Sequence, residues 1–577
     1  MKKKLLPALI VTGLIILVVI IMGITALVNK YTPTKKTEDL KEYFNISSDD
    51  EAALIVDNEL SDYKAKIIDK KIYVDYKFVH DSLNSRFYWD ANENVLLYTT
   101  ASDIISAAAD SNSYSVTKQT NDFGYPIVKA TSDSALIALD YVKQYSNITF
   151  KSYDDPARIV ITSKWDEINS AIVSKSTQVR VKGGIKSPIL KEVKKDDKIT
   201  ILDSGDKWDK VATEDGVIGY IKRKALSESK KTKLTNPDYE EETFTHIKKD
   251  KDICLAWNQV TSQSANSKVP QVISSTKGIN VMSPTWFYLN DNNGNLADIA
   301  SKDYVSYCHS QGIEVWGLFS NLENTDVDAA YVLTHTSTRT TLINQIMSAA
   351  FNYELDGVNI DFENITEAAY GDSYIEFIRE LAIKCHNNGI SLSVDVTVPA
   401  SFNKFFNRSD MANFADYIVI MGYDEHYKGS DAGSVSSIPW LTEGVESTLK
   451  EVPADQIILG MPFYTRIWEL TPKEDDDAVT DTEDQSKYTV ASQVYSMDAA
   501  AAQLATNNAT AALDEESGQN YAEWSASNKL YKVWLEDSTS LEKRLKLVDD
   551  NKLAGAAFWK LGFENSSVWD TVIKYLD

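Results

Sequence analysis

Hydrophobic and polar positions change rhythm several times along the chain. An uncharged run from Leu5 to Val28 comes first, with Lys2, Lys3 and Lys4 before it and the polar stretch YTPTKKTEDLKEY after it. At ~1.5 Å per helical residue this run spans a hydrocarbon core of roughly 30 Å. From Ala52 to Thr162 apolar residues alternate in short strands: KIYVDYKFV (Lys71–Val79), NVLLYTT (Asn94–Thr100) and ARIVIT (Ala157–Thr162). Helical pieces such as SALIALDYVKQY (Ser134–Tyr145) lie between them, which predicts an α+β module over 52–165. From 175 to 228 the strands shorten, and Gly183–Gly184, Asp203–Gly205 and Asp215–Gly216 separate alternating runs. That spacing predicts a small β-barrel. The charged, Ser/Thr-rich segment 229–243 reads as a linker.

From Phe244 to Asp577 the rhythm becomes strand-then-helix. Eight apolar runs are candidate strands: ICLAWNQV (Ile253), INVMSPTWFYL (Ile279), IEVWGLF (Ile313), LDGVNIDFE (Leu355), ISLSVDVTV (Ile390), DYIVIMGYD (Asp416), QIILGMPFYT (Gln456) and LAGAAFWKL (Leu553). Helical sequence such as YIEFIRELAIKCHNNG separates most of them. This predicts an α/β fold, a (β/α)8 TIM barrel at the C-terminus. The long gap before the eighth strand predicts an insertion over about 470–536 that walls a groove. It holds an acidic loop (KEDDDAVTDTED), an Ala-rich helix and a strand-like YKVWLED.

Composition narrows the function classes. A chain of 577 residues exceeds one hydrophobic core and predicts three or four domains. A formal net charge of −25 argues against a nucleic-acid partner and against adhesion to anionic lipid. The lysines before the apolar run place residues 1–4 in the cytoplasm, 5–28 across the membrane as a single-pass anchor, and 29–51 outside as a tether. The run exceeds the apolar region of about 7–15 residues typical of a cleaved signal peptide. Cys254, Cys308 and Cys385 are too few and too scattered for a disulfide framework, and six dispersed histidines predict no metal site. No cofactor is expected.

The candidate chemistry lies in LDGVNIDFENI (Leu355–Ile365). Strand alternation turns Val358, Ile360 and Phe362 toward outer helices, and Asn359, Asp361 and Glu363 toward the barrel interior. Glu363, last of the three, falls at the C-terminal rim, where such barrels keep their catalytic groups. Asp356 is on the other phase and reads as structural. Two acids two residues apart seldom ionise together, so one is held protonated near neutral pH, as a general acid requires.

DGVNIDFE resembles the DxxDxDxE signature of glycoside hydrolase family 18, with Asn359 in place of the middle Asp. MGYDEH (Met421–His426) is similar to that family's MxYDxH, GMPFYTRIW (Gly460–Trp468) to its GxPxYGRxW, and Trp559 to its strand-eight tryptophan. The branch most resembled contains cell-wall and spore-cortex N-acetylglucosaminidases. The resemblance implies Glu363 as general acid and base, Asp361 as holder of the substrate's acetamido N–H, and Tyr423 as donor to the acetamido oxygen. The nucleophile is then the substrate's own 2-acetamido group, an exception to the two-carboxylate scheme. Asp424 is expected to touch the sugar, Trp559 to floor the subsite, and Tyr464, Arg466 and Trp286 to line the groove. Asn359 is counted with the substrate-binding residues; it cannot take a proton, so Asp361 is expected to stay ionised throughout. Upstream, the 175–228 segment resembles a bacterial SH3-like domain through Gly219, Tyr220 and Ile221, which implies a wall-peptide partner. VDYKFVHDSLNSRFYWDANENVLLYTT resembles the N-terminal domain of some copper amine oxidases, with no copper implied.

These readings predict a membrane-anchored, wall-facing glycosidase that cuts β-1,4 bonds after N-acetylglucosamine, in peptidoglycan foremost. Chitin oligosaccharides and N-glycan cores carry the same sugar and stay open as substrates. A carbohydrate-binding barrel without catalysis is the alternative from another class, and Glu363 argues against it. A scaffold whose smaller domains carry the function is the third.

Overall fold

The computed structural model describes residues 2–365, 368–473 and 485–576, so the acidic loop 474–484 lies outside the described residues. The chain divides into two compact units. The first comprises 1–89, 107–114 and 120–241, and the second 90–106, 115–119 and 242–577.

The second unit is built on the barrel, and all eight candidate strands are present. They are β1 (Ile253–Asn258), β2 (Val281–Leu289), β3 (Glu314–Ser320), β4 (Gly357–Asp361), β5 (Ser391–Thr397), β6 (Tyr417–Met421), β7 (Ile457–Pro462) and β8 (Gly555–Trp559). Each pairs in parallel with the next, and β1 with β8 closes the ring. Alternation sorts the side chains into two cores. Leu255, Trp257, Trp316, Val419 and Ile458 fill the barrel, while Val358, Ile360 and Phe362 pack outward under the helices. Gly357 is required at its place, because a Cβ there would meet the Trp316 ring at 2.6 Å. Cys254, Cys308 and Cys385 are buried free thiols.

The insertion after β7 begins earlier than expected. The strand ends at Pro462, Phe463 N donates to Trp559 O at 2.7 Å, and Tyr464–Pro472 starts a separate antiparallel sheet of five strands. Tyr488–Ser496, Lys529–Leu535, Gln519–Ala526 and Ala512–Asp514 complete it, beside a helix over Met497–Thr506. Tyr464 and Arg466 therefore belong to the insertion and not to the barrel strand.

In the first unit the expected boundaries shift. One seven-stranded sheet runs from Thr149–Tyr153 through Glu51–Val56 to Val128–Ala130. A second, antiparallel, covers 167–233, and its edge strand Lys230–Lys233 lies in what reads as linker. The two sheets share one core, in which Ala53 and Ile55 meet Val173, Val179 and Ile221. Asp215 seals it with ion pairs to Arg158 and Lys191, both at 2.5 Å. The tether is part of this body too: Phe44 is 1% exposed in the same core. The second half of the run expected as a strand, from Tyr76, is instead the start of a helix over Tyr76–Ser82. An N-terminal helix extends over Lys2–Tyr31, and Pro7–Tyr31 is long and apolar enough to cross a membrane.

Candidate active site

The site grows from the C-terminal end of β4. Its register against β3 pairs Ser320 with Asp361, and the next residues leave the ladder. Glu363 is kept in line by Asn321, whose side-chain oxygen accepts from Glu363 N at 2.9 Å and whose Nδ2 donates to Glu363 O at 2.8 Å. Burial raises the Glu363 carboxyl above its ordinary range, and the charges of Asp424 and Glu323 add to the shift. Asp361 is pushed up to about 8, by burial first and then by Glu363 and Glu323. Its Oδ1 is buried without a hydrogen-bond partner among the described residues. Burial and the neighbouring acids thus favour the protonated form of Asp361 in the free protein, against the expectation that it stays ionised throughout.

Asn359, one interior step deeper, has its amide fully engaged. Oδ1 accepts from Trp257 Nε1 at 3.0 Å and from Ser283 Oγ at 2.9 Å. Nδ2 donates to Ser393 Oγ at 3.0 Å and to Asp395 Oδ1 at 2.7 Å. It is fully buried under the site, and these four hydrogen bonds engage its amide with its neighbours in place of the substrate contact expected of it.

Aromatic rings form the adjoining wall. Trp257 lies edge-on to Tyr423 and to Trp559, with ring centroids 6.4 Å and 6.0 Å apart. Tyr464 lies edge-on to Tyr423 at 6.3 Å. Asp424 follows Tyr423 in left-handed backbone, at φ 60°, and its Oδ1 accepts from Tyr464 OH at 2.6 Å and from Arg466 Nη2 at 3.4 Å. The structure therefore brings Asp361, Glu363, Tyr423, Asp424, Trp559, Tyr464 and Arg466 together.

Trp286 does not join them. It is fully buried on the outer side of β2, edge-on to Tyr304, and Nε1 donates to Asn266 Oδ1 at 2.8 Å. The register of β2 against β3 shifts between Thr285 and Phe287, and Trp286 and Phe287 both pack in the outer core, so Trp286 does not line the groove. Four residues of the site went unread in the sequence: Asn321 and Glu323, just past β3; Trp257 on β1; and Asp395 on β5. Asp395 left a signal, since it shares the interior phase of the polar Ser391 and Ser393.

A closed (β/α)8 barrel that carries two half-buried carboxyls with raised pKa at the rim of β4, under an aromatic wall, is the architecture of a glycosidase. The profile of the glycosyl hydrolases family 18 matches residues 323–564, and the barrel is a family 18 glycosidase domain. Among curated relatives, the chain is 24% identical over 301 residues to the uncharacterized glycosylase YvbX of Bacillus subtilis (strain 168), covering 49% of this chain and 81% of the relative. It is 24% identical over 287 residues to the cortical fragment-lytic enzyme of the same organism, covering 48% of this chain and 63% of that protein, less than two thirds of its length. In fold it is similar to a domain assigned to a chitinase of Desulfitobacterium hafniense DCB-2, at 19% identity and a TM-score of 0.50, covering 57% of this chain and all of that domain.

Proposed function

We propose that the barrel cleaves β-1,4 bonds after N-acetylglucosamine, with peptidoglycan as the polymer. The observation that carries the reading is Asp361 Oδ1, a buried carboxyl oxygen without a partner among the described residues, one step below Glu363. A substrate acetamido N–H would satisfy it, and Glu363, whose carboxyl burial raises, would protonate the leaving oxygen. The acetamido oxygen then attacks, oriented by Tyr423, and Glu363 deprotonates the water that completes retention. Asp424, Tyr464 and Arg466 form a hydrogen-bonded unit that contacts the sugar, and Trp559 floors the subsite.

The wall assignment rests on the similarity to the cortical fragment-lytic enzyme and on the company the barrel keeps. Pro7–Tyr31 is read as a membrane anchor that leaves the body on the wall-facing side. The 167–233 sheet is read as SH3-like and as the contact for a wall peptide.

Residues 30–577 incubated with purified peptidoglycan and with chitin oligomers, beside Glu363→Gln, test the reading. Fragments ending in N-acetylglucosamine at the reducing end are expected from peptidoglycan, with a loss of about 10²–10⁴-fold in the variant. Cleavage of chitin oligomers alone would move the substrate to chitin. Cleavage of neither would overturn the hydrolase reading in favour of a carbohydrate-binding barrel.

A further inference from the structure

Asp395 has no part in the reaction as described, yet it is buried among the reacting groups. It stands on β5 and is 2% exposed. The β4–β5 register pairs Asn359 with Ser393 and Ile360 with Val394. Carried one step further, that register would put Asp361 opposite Asp395, at the ordinary strand spacing of about 4.8 Å, and the Asp361 charge acts on Asp395. Asn359 Nδ2 donates to Asp395 Oδ1, while Asp361 Oδ1 has no donor among the described residues. The amide therefore favours a negative charge on Asp395 over one on Asp361.

The groups facing Asp395 come from three elements. β4 supplies Asp361 and Glu363, the end of β6 supplies Tyr423, and the helix Ala368–His386 supplies Tyr374. Glu323, past β3, acts on both β4 acids. Two neighbouring carboxyls in so dry a space cannot both ionise. Both are raised, Asp395 by burial first and then by Asp361.

We propose that Asp395 is a positioning residue for the hydrolysis: it and Asp361 keep at least one proton between them, and the seat of that proton decides whether Asp361 meets the substrate as acid or carboxylate. Once the pair has lost its first proton, the charge rests on Asp395, where Asn359 donates to it. A substrate N–H at Asp361 draws the charge across. The O–H bond at Asp361 breaks, one forms at Asp395, and the pair's total charge is unchanged. Asn359 and Asp395 thus form a matched set: the amide at one position needs the carboxyl at the other.

The proposal rests on the hydrolase reading, and its test separates the two. In the full chain in detergent, Asp395→Asn preserves the acceptor for Asn359 but cannot hold the charge. Its kcat is expected to fall about tenfold or more with KM little changed. The basic limb of the pH profile should move about one unit lower, because a negative charge near Glu363 and Asp361 is gone. The exchange Asn359→Asp with Asp395→Asn returns a carboxyl to the layer and should restore the limb. An unmoved limb, or an exchange no better than the single variant, overturns the proposal. A second readout needs no turnover: the change of Tm with pH in Asp361→Asn, Asp395→Asn and the double variant. Shared protons require non-additive pH dependence, and additive behaviour overturns the sharing. If wild type cuts no polymer, the hydrolase reading fails, while the melting cycle still decides whether the two carboxyls share a proton.

Discussion

Asn321 grips Glu363 by the backbone, accepting from its N–H at 2.9 Å and donating to its carbonyl at 2.8 Å. The side chain continues the β3–β4 ladder beyond Ser320 and Asp361, where the strands themselves have parted. Asn321→Ala should therefore cost little stability, about 1–2 kcal/mol for two ordinary hydrogen bonds. The effect on kcat should be larger, about tenfold to a hundredfold, because a general acid displaced by an ångström loses its alignment. Melting and turnover measured on the same preparation check this. A lower Tm with an unchanged kcat would show that Asn321 only holds the loop.

Glu323 should set the alkaline end of the activity profile. Its charge acts on both Asp361 and Glu363 and helps hold each above its ordinary range. On the proposed mechanism Glu363 acts as an acid only when protonated, so activity should fall as pH rises through its pKa. Glu323→Gln removes a repelling charge and lets that proton leave earlier, so the basic limb should shift to lower pH. A limb that moves to higher pH, or stays, contradicts the electrostatic account.

The barrel was legible because each strand is an apolar run of the right length, with the polar residues of β4 confined to one phase. That same phase placed Asn359, Asp361 and Glu363 inside and Val358, Ile360 and Phe362 outside, as found. Position along a strand was harder to read. The run from Ile457 to Trp468 looks continuous, but pairing on the barrel ends at Pro462, and Tyr464 and Arg466 reach the site from another sheet. The shared core of the first unit was not legible at all. It depends on the close approach of Gly216 to Ile55 and Val160, residues far apart in the chain. Asp395 was legible by phase, but only the structure shows its bond to Asn359.

Asn359→Asp puts a carboxylate oxygen where an N–H₂ now donates to Asp395 at 2.7 Å. The two carboxyls must then share a proton, so the substituted side chain has a raised pKa in the folded state. A raised carboxyl binds its proton more tightly folded than unfolded. Below about pH 4 both states are protonated and the variant loses little on this account. As pH rises above that, the loss grows until the folded pKa is passed. Activity should remain measurable with a displaced pH profile, and the Tm deficit should widen from pH 4 to pH 8. A deficit independent of pH would mean that the amide matters for packing alone.

Phe44 makes a prediction about the segment between the apolar helix and the first strand. The ring is 1% exposed among Val179, Leu190 and Ile221, and Asp39 caps the short helix Leu40–Tyr43 that carries the chain to it. Removing a buried phenylalanine costs about 3–5 kcal/mol. A soluble form that starts at residue 52 should therefore melt its first unit well below one that starts at residue 32. Phe44→Ala in the longer form should reproduce most of that loss. Differential scanning calorimetry of the three proteins distinguishes this from a passive tether, which could be cut anywhere between Tyr31 and Glu51 without moving the transition.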